Sequence, residues 1–219
     1  MPTDVDGVFT SQEARAYWDS RHATAGSLQS GGHIRQSDAE AALLYAVRIA
    51  RVADALGLTA SVGYPVRLLD AGCGKGHFSR ALAQFGFLVD GVDFSPSAVA
   101  YACERAGARE SYAVRDLGAW APPYLYDAVL SVDVLYHVMD DAEWERIVRN
   151  LAGLTRLGGR LLLVDHRADT DHTWSRYQRT RSVERYREVL ASCGVDLRGH
   201  LPNGFPHDPS GIHCGVRVR

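Results

Sequence analysis

The 219-residue sequence lacks the features that mark several specialised classes of protein. Its formal net charge is only −2, which gives no electrostatic reason to expect nucleic acid as the main partner. No apolar run is long enough to cross a membrane, and the N-terminus does not have the basic-then-apolar pattern of a signal peptide. We therefore expect a cytoplasmic protein that binds neither nucleic acid nor a membrane.

Cysteine is also scarce. The four cysteines are far apart and form no CxxC pair: Cys73, Cys103, Cys193 and Cys214. This spacing argues against a zinc site, so we expect reduced thiols and no metal. The apolar content is ordinary for a globular protein, and the length suits one domain with a full core.

The pattern of the chain changes near residue 60. Before it, capping residues at Thr10 and Ser37 each precede a helical segment, and the second segment ends at Gly57. From Val66 onward short apolar strands alternate with helices, which favours a parallel sheet. One of these helices is expected to run from Asp140 to Gly158. The last two strands, near residues 195–200 and 213–218, are expected to pair antiparallel and bring the total to seven.

The most informative motif follows the first of these strands. Asp70 ends an apolar run, and Gly72, Gly74 and Gly76 follow it at alternate positions, just before a helix. Alternate glycines leave one face of a turn without Cβ atoms, so a ligand can lie against the backbone. Dinucleotide sites have the spacing G-x-G-x-x-G instead. A carboxylate beside the turn would repel a pyrophosphate, but it suits a ligand that carries a cationic group.

With this motif the chain resembles the class I methyltransferases that depend on S-adenosylmethionine (SAM), whose first motif is D/E-x-G-x-G-x-G. The resemblance covers roughly residues 61–219. It implies a doubly wound α/β fold with a seven-stranded, mostly parallel, Rossmann-like sheet, and SAM as the cofactor. Residues 1–60 would form an N-terminal helical cap or lid on the core of residues 61–219.

The resemblance also implies which residues contact SAM. Asp93 would accept hydrogen bonds from the ribose hydroxyls, and Phe94 would cover one face of the adenine. Asp116 would accept a hydrogen bond from the adenine amino group, and Tyr17 would reach the methionyl carboxylate. Taken alone, each could be a turn, capping or packing residue. The full set of expected cofactor-binding residues is Tyr17, Asp70, Ala71, Gly72, Gly74, Gly76, Asp93, Phe94, Asp116, Leu117 and Ser131.

A hydroxyl acceptor has to lose a proton, and histidine is the natural base near neutral pH. His137 and His166 follow the fourth and fifth strands, and Tyr136 precedes His137. These three residues are the catalytic candidates. His137 could instead close the SAM pocket structurally, and His166 could be a solvated loop residue. His22 and His33 are more distant options.

We expect a SAM-dependent methyltransferase that acts on oxygen or nitrogen, or on carbon, of a small-molecule metabolite, for example in secondary metabolism. The alternative is a SAM-binding protein of the same fold with a non-methylating or partner-regulatory role. Residues 10–60 and the polar segment 167–181 are expected to cover the acceptor, in a monomer or homodimer. Basic residues within and just after that segment could bind a carboxylate of the acceptor or could form a solvated helix face. We favour the solvated face.

Overall fold

The computed structural model describes residues 7–24, 28–31, 37–57, 66–204 and 210–219. Within these residues the strands are β1 (Arg67–Ala71), β2 (Leu88–Asp93), β3 (Glu110–Val114), β4 (Tyr126–Val132), β5 (Thr155–His166), β6 (His172–Ser175), β7 (Gln178–Thr180), β8 (Val195–Pro202) and β9 (Ser210–Arg217). The helices are α1 (Ser11–Thr24), α2 (Asp38–Ala55), α3 (His77–Gln84), α4 (Pro96–Cys103), α5 (Asp141–Leu154) and α6 (Val183–Ser192).

Seven of these strands form one sheet in the order β3-β2-β1-β4-β5-β9-β8. The neighbours from β3 to β5 pair in parallel, whereas β9 pairs antiparallel with both β5 and β8. The order reverses at β1, between β2 and β4, which is where an open α/β sheet forms a ligand crevice. The prediction of a seven-stranded, mostly parallel sheet with an antiparallel edge pair is confirmed.

The helices begin where the sequence places caps. Ser37 and Glu40 form a reciprocal capping box at the start of α2. The Ser95 hydroxyl accepts the Ala98 N–H at the start of α4, and Pro96 occupies the first turn. These local signals fix the starts of α2 and α4.

Apolar side chains cover both faces of the sheet. Trp144 and Leu151 of α5 pack with Tyr186 of α6 on one face. Val52 of α2 and Leu82 of α3 pack on the other. Full burial of a side chain such as Leu82 contributes about 2 kcal/mol. The two layers hold the strand ends that form the cavity described below.

Two features differ from the sequence predictions. Helix α5 ends at Leu154 instead of near Gly158, because Thr155 already pairs with Tyr126 in the sheet. The segment 167–181, expected only to be a polar lid, contains the antiparallel hairpin β6–β7. Among the described residues, no helix has the length and apolar character of a membrane span.

Candidate active site

A cavity lies at the carboxyl ends of the central strands, between the sheet and α1. It is lined by residues that follow β1, β2 and β4 and, opposite them, by residues of α1. The expected site residues that line it are Asp70, Gly72, Gly74, Asp93, Phe94, Asp116, Leu117 and His137. The structure therefore brings these predicted residues together around one cavity, although they are distant in the chain.

The glycine turn adopts the left-handed conformation that the motif requires, with φ of 81° at Gly72, 50° at Gly74 and 74° at Gly76. A Cβ atom on Gly72 would lie 2.3 Å from a methyl carbon of Val134, and one on Gly76 would lie 2.7 Å from the Tyr112 hydroxyl. These two glycines therefore make room for neighbouring side chains. Only Gly74 of the three has its open face toward a group across the cavity, the ring of His22 at 3.4 Å.

The two acids nearest the turn are both buried. The Ser79 hydroxyl donates to Asp70 at 2.5 Å, and burial raises the pKa of Asp70 to about 6. Asp93 accepts the Gly74 N–H and the Ser95 N–H, each at 2.9 Å, and burial raises its pKa as well. Asp93 thus joins the glycine turn to the cap of α4 in addition to facing the cavity.

Helix α1 covers the end of the cavity that is lined by Phe94 and Asp116. Arg15 of α1 lies 2.6 Å from the Asp116 carboxylate, and its guanidinium carbon lies 5.3 Å from the centre of the Phe94 ring. Arg146 pairs with the other Asp116 oxygen at 3.2 Å. Asp116 also accepts the Gly118 N–H at 2.8 Å, which fixes the loop that carries Leu117.

His137 lies in the short 3-10 turn after β4, between aromatic rings. Its ring centre is 4.4 Å from Trp18 and 4.3 Å from Tyr136. Nδ1 lies 2.8 Å from the Tyr177 carbonyl oxygen, which accepts only, so Nδ1 carries the hydrogen and Nε2 the lone pair. Desolvation lowers the pKa of His137 to about 4, so the ring is neutral at pH 7.

The comparisons with known proteins agree with this geometry. A family model described as a methyltransferase domain matches residues 11–200. The chain belongs to the SAM-dependent methyltransferases. The sequence-based recognition of this family is therefore confirmed, and SAM is the cofactor that the family uses.

Curated relatives match only part of the chain. A ubiquinone biosynthesis O-methyltransferase of Coxiella burnetii is 34% identical over 98 residues, which is 43% of this chain and 41% of the relative. One from Xanthomonas campestris is 36% identical over 115 residues, 48% of this chain and 46% of the relative. The matched part thus spans less than half the length of these relatives.

Solved structures match almost the whole fold. A magnesium protoporphyrin IX methyltransferase of Synechocystis, solved with SAM, superimposes with a TM-score of 0.69 at 24% identity, covering 97% of this chain and 99% of that one. The N-methyltransferase NodS of Bradyrhizobium japonicum, solved with S-adenosylhomocysteine (SAH), gives 0.68 at 19% identity, covering 94% and 98%. At these identities the likeness concerns the fold.

The residues around the cavity fit SAM. Asp70 and Asp93 bring carboxylates to the cavity, where cationic groups of a ligand would be stabilised. Two buried nitrogens on residues of the cavity wall, in Trp18 and His22, have no hydrogen-bond partner among the residues that the structure describes. Buried polar atoms are almost always paired, so both are suited to bind a ligand.

The remaining expected residues lie beside the cavity. Ala71 and Ser131 hydrogen-bond to each other at 3.0 Å and so link β1 to β4. Tyr136 stacks on His166, with ring centres 4.7 Å apart. Tyr17 stacks on Tyr177, whereas its neighbour Trp18 is the residue of this pair that lines the cavity. His33 lies outside the described residues.

Some contacts at and near the site were not predicted from the sequence. Arg48 of α2 pairs with Asp133, and Asp133 has the left-handed φ of 57°. Strain at a residue other than glycine is typical of functional sites, but the sequence shows no sign of it. Arg181 was expected on a solvated face, yet it is fully buried and bonded to Asp141 at 2.9 Å. The segment thus uses this arginine to hold the hairpin β6–β7 against α5.

Proposed function

We propose that this chain transfers the methyl group of SAM to an oxygen or nitrogen atom of a small organic molecule. The observation that carries the proposal is one cavity in which the buried acids Asp70 and Asp93 face the same space as the neutral imidazole of His137. When bound, SAM supplies an activated methyl group. The protein has to hold the acceptor atom in line with that group, at about 3 Å, and to exclude water.

The acidic residues hold the cofactor in this proposal. Asp93 is fixed by two backbone N–H groups, which still leave lone pairs for the ribose hydroxyls. Phe94 and Leu117 offer apolar surface for the adenine. Asp116 lies beside them, held by Arg15 and by the Gly118 N–H.

His137 is the group placed to meet the acceptor. Its tautomer is set by the Tyr177 carbonyl, so Nε2 can accept a hydrogen bond from a hydroxyl or amine. Its low pKa makes it a weak base, which favours orientation of the acceptor over full removal of a proton. His166 and Tyr136 hold the His137 ring in position. The His166 ring stacks on Tyr136, and Tyr136 packs against His137.

The described helices of the N-terminal residues 1–60 act as a cap on the cavity in this proposal. Helix α1 brings Arg15 to Asp116, and α2 brings Arg48 to Asp133, so both helices reach residues of the cavity wall. The curated relatives named as ubiquinone biosynthesis O-methyltransferases and the N-methyltransferase NodS support a small acceptor at oxygen or nitrogen. A second function of the same fold, binding SAM without methylation, is an outcome of the test below.

The test is calorimetric titration of the whole chain with SAM, SAH and NADH, followed by an acceptor screen. We expect SAM and SAH to bind and NADH not to bind. The Asp93→Ala variant should bind both SAM and SAH much more weakly. Phenols, catechols and amines would then be screened for release of SAH. Binding of NADH without SAM would overturn the proposal. SAM binding with no turnover on any acceptor would favour the non-methylating alternative.

A further inference from the structure

The tip of the hairpin β6–β7 lies between two parts of the cavity wall. Its strands are joined by a turn of two residues, Arg176 and Tyr177. The turn hydrogen-bonds to Phe9, just before α1, and to His137, after β4. Phe9 and His137 both line the cavity. The hairpin therefore contacts two wall residues that come from separate parts of the chain.

Arg176 holds the residues that begin α1. Its carbonyl oxygen accepts the Phe9 N–H at 2.8 Å, and its guanidinium carbon lies 4.6 Å from the centre of the Phe9 ring. Hydrogen bonds from Thr10 lower the pKa of Glu13, in the first turn of α1, and the positive charge of Arg176 lowers it further. The main chain, the side chain and the charge of Arg176 thus all favour the position of α1 over the cavity.

Tyr177 holds His137. Its carbonyl oxygen accepts the Nδ1 hydrogen of His137 at 2.8 Å, and the two rings stack with their centres 6.0 Å apart. The Tyr177 ring also stacks on Tyr17 of α1, at 5.6 Å. Phe9 packs against Tyr17 and Tyr177, at 5.5 Å and 6.1 Å. One aromatic cluster thus extends from the beginning of α1 through the turn to His137.

The base of the hairpin is fixed to the core of the fold. The Thr180 hydroxyl lies 2.9 Å from the Trp174 indole nitrogen and 3.1 Å from Nδ1 of His166, at the end of β5. The buried Arg181 pairs with Asp141 of α5 at 2.9 Å. Because β5 and α5 carry the base, the turn at the tip has a fixed support from which to hold α1 and His137.

We propose that Arg176 and Tyr177 are positioning residues, which hold α1 over the cavity and the His137 ring toward it as one unit. This inference rests on the proposed function, in which His137 meets the acceptor. It goes beyond a segment that only covers the acceptor, because a displaced turn would both uncover the cavity and break the Nδ1 hydrogen bond. The His137 ring could then carry its hydrogen on either nitrogen, and Nε2 would no longer be a fixed acceptor.

Two measurements on the whole chain test this inference. Nitrogen NMR of isotope-labelled histidine distinguishes a ring with its hydrogen on Nδ1 from one with it on Nε2, and the His137→Gln variant identifies the His137 signals. Hydrogen exchange read by mass spectrometry reports on opening of α1. The variants are Arg176→Ala, at an exposed residue, and Tyr177→Ala, with Tyr177→Phe as the conservative change. Arg198→Ala, at another exposed arginine, is the matched control.

In the wild type we expect His137 to carry its hydrogen on Nδ1 at pH 7. Tyr177→Ala should give a mixture of the two tautomers and faster exchange in α1, because it removes the stacking on both His137 and Tyr17. Arg176→Ala should speed exchange at the beginning of α1 about threefold, as the loss of an exposed cation–π contact implies, and shift the tautomer in the same direction. Tyr177→Phe and Arg198→Ala should both match the wild type. Circular dichroism would show that each variant is folded.

The outcomes separate this inference from the proposed function. Faster exchange in α1 with an unchanged His137 tautomer, or the reverse, would show that the two are held separately and would overturn the inference. No change in either measurement would overturn it as well. Titration of the wild type with SAH is the independent check on function. A chain that binds SAH without this linkage keeps the proposed function, whereas a chain that does not bind SAH loses it.

Discussion

Arg48 and Asp133 form a two-pronged ion pair that joins α2 to the end of β4. One guanidinium nitrogen lies 2.8 Å from Asp133 Oδ1, and the other contacts Oδ2. Both side chains are largely buried, at 9% and 15% exposure. Asp133 also has a left-handed φ of 57°, so α2 and the cavity wall are connected through a strained residue.

Removing Arg48 should destabilise the protein more than removing both partners. Arg48→Met leaves the Asp133 carboxylate without its counter-ion in a largely buried place, at a cost of about 3 kcal/mol. In Arg48→Met/Asp133→Asn the remaining group is neutral, so part of this loss should be recovered. Urea unfolding of both variants measures the difference. Equal unfolding free energies for the two would contradict an uncompensated charge.

Gly72 should not tolerate alanine, for two separate reasons. Its φ of 81° costs about 1–2 kcal/mol for any residue with a Cβ atom. In addition, the Cβ atom would lie 2.3 Å from Val134 Cγ2. Gly158 has a similar φ of 74° with nothing within 4 Å, so Gly158→Ala measures the first cost alone.

We therefore expect Gly72→Ala to lower the unfolding free energy well beyond the loss in Gly158→Ala, and to weaken SAH binding because the turn shifts. Gly72→Ala/Val134→Ala should restore part of the stability, since the clashing methyl carbon is gone. Thermal unfolding with and without SAH gives both readouts. If the two single variants lost the same stability, the close approach to Val134 would have no energetic meaning.

The His137→Ala variant distinguishes contact with the acceptor from closure of the pocket. If Nε2 orients the acceptor, turnover should fall about a hundredfold while SAM affinity stays within a few-fold of the wild type. Loss of both would show that the ring mainly closes the pocket between Trp18 and Tyr136. Because the pKa of His137 is about 4, wild-type turnover should not change through this group above about pH 5.

The sequence predicted those parts of the structure that depend on local chemistry. Ser37 and Asp140 mark helix starts that the structure confirms. The tight glycine turn after β1 also follows from a short motif. Such features need only neighbouring residues, so one sequence is enough to find them.

The rest depends on long-range packing. Arg48 and Asp133 are 85 positions apart, and nothing near either residue indicates the other. Tyr17 and Trp18 are adjacent on α1, and which of them faces the cavity depends on how the helix is rotated against the sheet. The hairpin β6–β7 has strands of four and three residues, too short for a hydrophobic period to mark them.

Asp165 should give the stability of the protein a distinct dependence on pH. It lies at the end of β5, and burial is the main cause that raises its pKa to about 7. The Tyr186 hydroxyl and the His166 N–H both donate to it and limit this rise. Between about pH 4 and pH 7 the folded protein therefore keeps a proton that the unfolded chain has already released.

The folded state binds more protons in this window, so stability falls as the pH rises through it. Between pH 4 and pH 7 the unfolding free energy of the wild type should fall by roughly 1 kcal/mol per pH unit relative to that of Asp165→Asn, which has no proton to release. Groups shared by both proteins, such as Asp70 and His213, cancel in this difference. Tyr186→Phe should move the decline to higher pH, because it removes a hydrogen bond that favours the carboxylate. Urea unfolding across the range tests this, and a difference that does not vary with pH would show that Asp165 is ionised throughout.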